Sequence, residues 1–306
     1  MTRPGSGLPG TVGRRFVDAC SLGEALEALR DGGDELTVLA GGTDIMVQYL
    51  RGDIRPAGLL HIRRLADLRD QAFEQRTRLG ALTTHWQLVT DSRLRRRHPA
   101  LAEAAATVGG RQTQNVGTVG GNLVNASPAA DLVPAMLVGD GTVTLASASA
   151  TREMPVADFV LGRRRTARRP DELVVGLSFA PLPERAGETY LKVGRRHAME
   201  VAIVGLAARL AFDRDGQVVD ARIGLASVGP RPLRAEDAEA RLVGSHLDAA
   251  SVREAGELLT RTSLPIDDAR ATAAYRRRLL PALLARAVGT CRERALQPGG
   301  PTQHAP

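Results

Sequence analysis

The sequence predicts an α+β protein built in two parts, and three observations carry that prediction. Its 306 residues, 43% apolar and 25% charged, are enough for two or three domains with cores of their own. Up to Pro181-Leu182-Pro183, short strands and helices are interrupted by two paired-glycine segments, Gly41-Gly42 and Gly120-Gly121. Beyond that linker the pattern changes: strands come first and helices follow.

Residues 1 to 13 are rich in Gly and Pro and lack periodicity, so a flexible arm is expected. Ser21 with Glu24 three residues on reads as a capping box opening a helix with Leu22, Ala25, Leu26 and Leu29 on one face. Asp31-Gly32-Gly33-Asp34 stops it. Leu36 to Ala40, including Leu39, reads as a buried strand running into Gly41-Gly42-Thr43-Asp44-Ile45. A strand that ends in paired glycines and continues into an amphipathic stretch can aim successive N–H groups at an anion, or can simply turn. Leu59 to Ile62 and Arg78 to Leu82 are further strands, and Thr84 caps a helix carrying Trp86, which reads as a core residue. An alanine-rich helix over Pro99 to Val108 ends at Gly109-Gly110.

The second glycine segment, Thr118-Val119-Gly120-Gly121-Asn122, reads as a sharp turn presenting main-chain N–H groups where no Cβ blocks close approach. Such a surface suits a phosphate. Asp131, nine residues past Asn122, heads the apolar stretch Leu132 to Val138, where it can cap a helix or accept from a ribose or amide. Together these features suggest a nucleotide cofactor. Strands follow at Thr142 to Ala146 and at Leu173 to Phe179, which contains Val175. After the linker, Tyr190 to Val193, Ala202 to Phe212 and Val218 to Val228 are strands, the last two joined by a hairpin turn at Asp213 to Gly216. Helices are expected at about 235–242, 247–260 and 268–289, the last with Tyr275, Leu279, Leu283 and Ala287 on one face. The tail from Gln297 to Pro306 is expected to be disordered.

Composition excludes several function classes. No run of 18 apolar residues exists, so no transmembrane span is expected, and the chain reads as cytoplasmic. Cys20 and Cys291 are the only cysteines, so the chain alone supplies too few thiolates for an iron–sulfur cluster. The six histidines form no metal-binding spacing, and no metal is expected here. A net charge of +7 comes with only 3% aromatics and no recognition motif, which argues against nucleic acid. Of 41 basic residues, Lys192 alone is a lysine, which reads either as a position where a compact ammonium matters or as the chance survival of one surface lysine.

With these motifs assembled, the chain over about residues 14–290 resembles the FAD-binding medium subunit of the molybdenum hydroxylases, the family of xanthine dehydrogenase and carbon monoxide dehydrogenase. Ala40-Gly41-Gly42-Thr43-Asp44-Ile45 is similar to the family's first FAD motif and Thr118-Val119-Gly120-Gly121-Asn122 to its second, with Asp131 at the expected offset. The resemblance implies cofactor contacts at Leu39 to Ile45, Val108, Thr118 to Asn122, Asp131, Val175 and Lys192. Val108 stands where some relatives carry an aromatic ring. The implied fold is a two-lobed FAD-binding domain of the vanillyl-alcohol-oxidase (PCMH) type over 14–182, with lobes of about 14–60 and 61–182. A small C-terminal α+β domain over 185–290 follows. Neither glycine segment spells Gly-x-Gly-x-x-Gly, so a Rossmann fold is not expected.

The resemblance further implies an electron-transfer role. FAD in this chain would take electrons from [2Fe–2S] clusters on an iron–sulfur small subunit, while a large subunit holds the molybdenum cofactor, in a dimer of heterotrimers. No catalytic acid or base is assigned to this chain. One alternative is a self-sufficient FAD oxidoreductase, which would need an acid–base cluster of its own, and none is evident. The other is an assembly subunit that has lost cofactor binding, against which the intact glycine motifs argue.

Overall fold

A computed structural model of the chain describes residues 15–196 and 199–296. The expected arm at 1–13 and tail at 297–306 lie outside the described residues. The chain opens with β1 (Arg15–Asp18), α1 (Leu22–Gly32), β2 (Leu36–Leu39), α2 (Ile45–Arg51) and β3 (Gly58–His61). These strands form a parallel sheet in the order β1-β3-β2. Ser21 caps α1 by accepting from Glu24 N at 3.2 Å, but the Glu24 carboxylate reaches back one residue further than a capping box requires, to Cys20 N. Ala25, Leu26, Ala28 and Leu29 turn inward and pack with Leu60 and Ile62.

The second lobe runs through β4 (Gln71–Phe73), β5 (Thr77–Gly80), α3 (His85–Thr90), α4 (Ser92–Arg97), α5 (Pro99–Ala106), α6 (Arg111–Val116), α7 (Val119–Val124) and α8 (Leu132–Val138). It continues through β6 (Thr142–Ala146), β7 (Thr151–Pro155), α9 (Val156–Phe159), β8 (Val160–Gly162), β9 (Arg165–Thr166) and β10 (Leu173–Phe179). Five of these strands make an antiparallel sheet ordered β4-β5-β10-β6-β7, and β8 and β9 pair separately. Thr84 completes a full capping box with Gln87 at the start of α3. Every residue of α8 is buried, because the helix lies between this sheet and the next.

Past the linker come β11 (Ala186–Val193), β12 (Val204–Phe212), β13 (Val218–Ala226), β14 (Leu233–Arg234), α10 (Glu236–Leu242), α11 (Ala249–Thr262) and α12 (Ala273–Leu296). The strands form an antiparallel sheet in sequence order. All of β12 is buried, since it packs against both α8 and α12. The inward stripe of α12 is Arg276, Leu280, Leu283, Leu284, Ala287, Val288 and Cys291. Tyr275, expected on that face, is instead exposed, one position round the helix from the buried Arg276, which donates to Ile203 O. Trp86 also departs from expectation: it is half-buried, with the Arg111 guanidinium 3.2 Å over its ring.

A charged cluster is buried where the two parts meet. Glu188 on β11 lies 3.5 Å from Arg209 on β12, and Glu103 on α5 accepts from Thr189 Oγ1 and Tyr190 N. Burial pushes the Glu188 carboxyl from its ordinary 4.5 up to about 7, with the Arg209 guanidinium pulling the other way. The folded chain therefore keeps this proton over a range in which the unfolded chain has lost it. Its contribution to stability is full below pH 4.5 and is lost as pH rises through about 7. Glu188→Gln is expected to flatten the pH dependence of stability across that window, which urea unfolding at stepped pH measures.

Candidate functional site

A cavity of about 900 Å³ opens between the parallel sheet and the helical part of the second lobe. That is at the upper end of the roughly 300–1,000 Å³ of small-molecule and cofactor pockets. Its walls come from β2, the turn that follows it, the loop around Arg55, the start of α3, and the α7 segment. Of the residues singled out in the sequence, Ala40, Gly41, Gly42, Thr43, Asp44, Ile45, Val108, Thr118, Gly120, Gly121 and Asn122 line it.

The two glycine segments reach the cavity in different ways. Gly42 takes φ +71, a conformation that favours glycine, and a Cβ on Gly41 would overlap the Val116 carbonyl. The first segment is thus pressed against the main chain of the second lobe. Among the described residues, the N–H groups of Gly41, Gly42, Thr43, Asp44 and Ile45 have no acceptor. They form a run of free donors at the cavity wall, as an anion-binding turn requires.

The second segment is not the open turn that the sequence suggested. Val119–Val124 is a short helix, and Thr118 caps it by accepting from Gly121 N at 3.1 Å. Val119 N donates to Thr83 O, Gly120 N to Ala81 O and Asn122 N to Thr118 O. Four N–H groups expected to face a ligand are therefore already hydrogen-bonded within the protein. The glycines serve close packing instead: a Cβ on Gly120 would come within 2.8 Å of the Ala81 carbonyl oxygen. What this segment offers the cavity is an uncrowded surface and the Asn122 side chain, whose Oδ1 is buried without a partner.

Leu39, Val119, Val175, Asp131 and Lys192 are not among the lining residues. Val119 is a core residue. Val175 sits at a bulge in β10, so its neighbour Val174 faces the cavity while Val175 accepts from Ala81 N. Asp131 does not cap α8 with its side chain. Lys192 Nζ donates to Asp131 Oδ2 at 2.9 Å and to Thr107 O at 3.0 Å, and Tyr190 donates to Asp131 Oδ1 at 2.7 Å. This strut ties β11 to the end of α5 and the start of α8. Burial raises the Asp131 carboxyl above its ordinary value, opposed by the Lys192 ammonium and the Tyr190 hydroxyl.

Several wall residues had escaped sequence reasoning. Arg55, exposed on the loop before β3, and Arg164, which donates to the Asn125 side chain, add positive charge to the walls. Arg168 is held by the carbonyls of Arg169, Pro170 and Glu172. His85, the first residue of α3, also lines the cavity. Amid 40 arginines none of these basic positions stood out by type. Among the described residues, no group of three or more His, Cys, Asp or Glu side chains is placed to hold a metal, and no helix is long and apolar enough to cross a membrane.

Comparison with known proteins follows the same division. Residues 12–182 match the FAD binding domain in molybdopterin dehydrogenase, and residues 189–291 match the CO dehydrogenase flavoprotein C-terminal domain. The chain is 30% identical to the 6-hydroxypseudooxynicotine dehydrogenase complex subunit alpha of Paenarthrobacter nicotinovorans, over 92% of this chain and 95% of that one. It is 31% identical to a xanthine dehydrogenase FAD-binding subunit of Escherichia coli, over 86% and 90%. A chain of the reconstituted CO dehydrogenase from Oligotropha carboxidovorans superposes with a TM-score of 0.89 at 28% identity, covering 94% of this chain and all of that one.

Proposed function

We infer this chain's function from the family to which it belongs, the FAD-binding subunits of the molybdopterin dehydrogenases: it is the flavoprotein electron-transfer subunit of a molybdenum hydroxylase complex. The observation that carries the reading beyond family is the run of free N–H groups from Gly41 to Ile45 on the wall of a cavity of dinucleotide size. Bound FAD supplies the chemistry, exchanging electrons singly with iron–sulfur clusters and in pairs with an external acceptor.

The protein's own part is placement. The Gly41–Ile45 donors suit the cofactor pyrophosphate, and Arg55 and Arg164 reinforce the positive potential there. Ala40, Val108 and the bare surface at Gly120-Gly121 give the rings an apolar slot, with Thr118 and Asn122 at its edge. Leu39, Val119 and Val175 support this wall from behind. Asp131 and Lys192 hold the second lobe to the C-terminal part and so fix the α7–α8 segment that carries the second motif. The two family matches support a division into a domain over 14–182 and another over 185–290, and the separate parallel and antiparallel sheets of the first support lobes of about 14–60 and 61–182.

In this reading electrons arrive from [2Fe–2S] clusters on a small subunit, and substrate is oxidised at the molybdenum cofactor of a large one, within a cytoplasmic dimer of heterotrimers. Substrate choice then lies outside this chain. An absorption spectrum and metal analysis of the complex purified from its native host test the reading. Stoichiometric FAD with co-purifying iron and molybdenum is expected. FAD alone, bleached by an organic substrate in this chain by itself, would point to a self-sufficient enzyme, and failure to bind flavin under any reconstitution would overturn both.

A further inference from the structure

We infer that His85 is a cofactor-contact residue, its imidazole forming a hydrogen bond to the polar edge of an uncharged ring of the cofactor; the inference rests on the flavoprotein-subunit reading above. His85 is 3% exposed, lines the cavity, and carries a buried Nδ1 with no hydrogen-bond partner. Buried polar side-chain atoms are paired as a rule; Nδ1 is closed off from the cavity, and Nε2, also without a partner among the described residues but not fully buried, is the ring nitrogen that a ligand can reach. His98, the other buried histidine among the described residues, shows the satisfied state: it lies away from the cavity and its Nε2 is 2.8 Å from Thr77 Oγ1. Asn122 on α7 lines the same cavity, and its buried Oδ1 is a second polar atom without a partner.

The local structure holds the ring where it is. Thr84 caps α3 immediately before His85, and His85 N donates to Gly117 O at 3.1 Å, tying the helix start to the residue before the second motif. A Cβ at Gly117 would lie 2.9 Å from the imidazole Cδ2, so glycine there makes room for the ring. Among the described residues no ion pair reaches His85, and burial pushes its pKa down to about 4. At neutral pH the ring is uncharged. A neutral donor and acceptor suits a ring carbonyl, ring nitrogen or ring N–H, and leaves the phosphates to the Gly41–Ile45 donors. FAD offers such edges on both its isoalloxazine and its adenine.

The test uses the full chain, stripped of flavin and titrated with FAD, followed by flavin fluorescence. His85→Leu is expected to weaken FAD binding by about tenfold or more, with the unfolding midpoint of the flavin-free chain no lower than wild type. His85→Asn or His85→Gln, which keep a polar group near one ring nitrogen or the other, should recover most of the loss in one of the two. Competition by FMN and by ADP, each compared between wild type and His85→Leu, then identifies the ring: the competitor whose affinity falls carries the contacted edge. Unchanged FAD affinity in His85→Leu would overturn the inference, as would equal losses in all three variants tracking a lowered flavin-free midpoint, which indicate packing alone. A wild-type chain that binds no FAD would instead refute the flavoprotein reading itself.

Discussion

Lys192→Met is expected to lower the unfolding free energy by about 3–5 kcal/mol, the range for breaking a buried ion pair from one side. The side chains of Lys192 and Asp131 are each only 10% exposed, so Met fills the space but leaves a carboxylate in a poorly solvated site. Tyr190 remains as its single donor. Without the ammonium, the Asp131 carboxyl rises further above its ordinary value. The variant should then regain stability as pH falls, being most stable where the carboxyl is protonated in both states and losing that contribution as pH rises through the raised folded value. Urea unfolding of the flavin-loaded and flavin-free chain measures the loss. Equal costs in the two forms identify a structural strut, and a larger cost in the loaded form a cofactor contact. The variant that adds Asp131→Leu and Tyr190→Phe should recover most of the loss, because an apolar cluster of similar volume is often as stable as a buried ion pair and no hydroxyl is then left unpaired.

Gly41→Ala is expected to lower FAD affinity by at least about tenfold and to destabilise the chain by about 1–3 kcal/mol. The added methyl would overlap the Val116 carbonyl, and main-chain atoms on both sides leave no flexible side chain to yield. Relief requires the two lobes to separate at the cavity, which shifts the Gly41–Ile45 donors. Gly23→Ala is the control: its methyl would meet nothing within 4 Å, and it replaces a glycine inside α1, so stability should hold or rise. Flavin titration with thermal unfolding separates the two effects.

Much of this architecture could be read from local sequence. The strands Thr142–Ala146 and Leu173–Phe179 fall where their β-branched and apolar residues placed them, and the cap at Thr84 forms as expected. Asp213 N bonds to Gln217 O to close the hairpin between β12 and β13. The strands that escaped notice, β1, β4, β7, β14 and the β8–β9 pair, are short, and all but β8 carry charged or polar residues. Their conformation is set by neighbours distant in sequence. Arg15–Asp18, for example, is a strand because it lies in parallel register with Gly58–His61.

The site divides along the same line. Both glycine segments were visible, but which of them keeps its N–H groups free depends on whether Ala81 and Thr83 lie alongside, and no local pattern encodes that. Asp131 and Lys192 were each conspicuous, one by offset and the other by rarity. Their pairing joins residues 61 apart and follows only from the packing of β11 against α5 and α8. His85 had no distinguishing context in sequence, and its significance comes from burial without a partner.

Since Lys192 is the chain's single lysine, the strut has also enclosed its only side-chain amine. Lysine acetylation, lysine methylation and isopeptide linkage to other proteins all need an accessible ε-amine. The folded chain offers those chemistries no open lysine, and a reagent that acylates Lys192 reports that β11 has come away from α8.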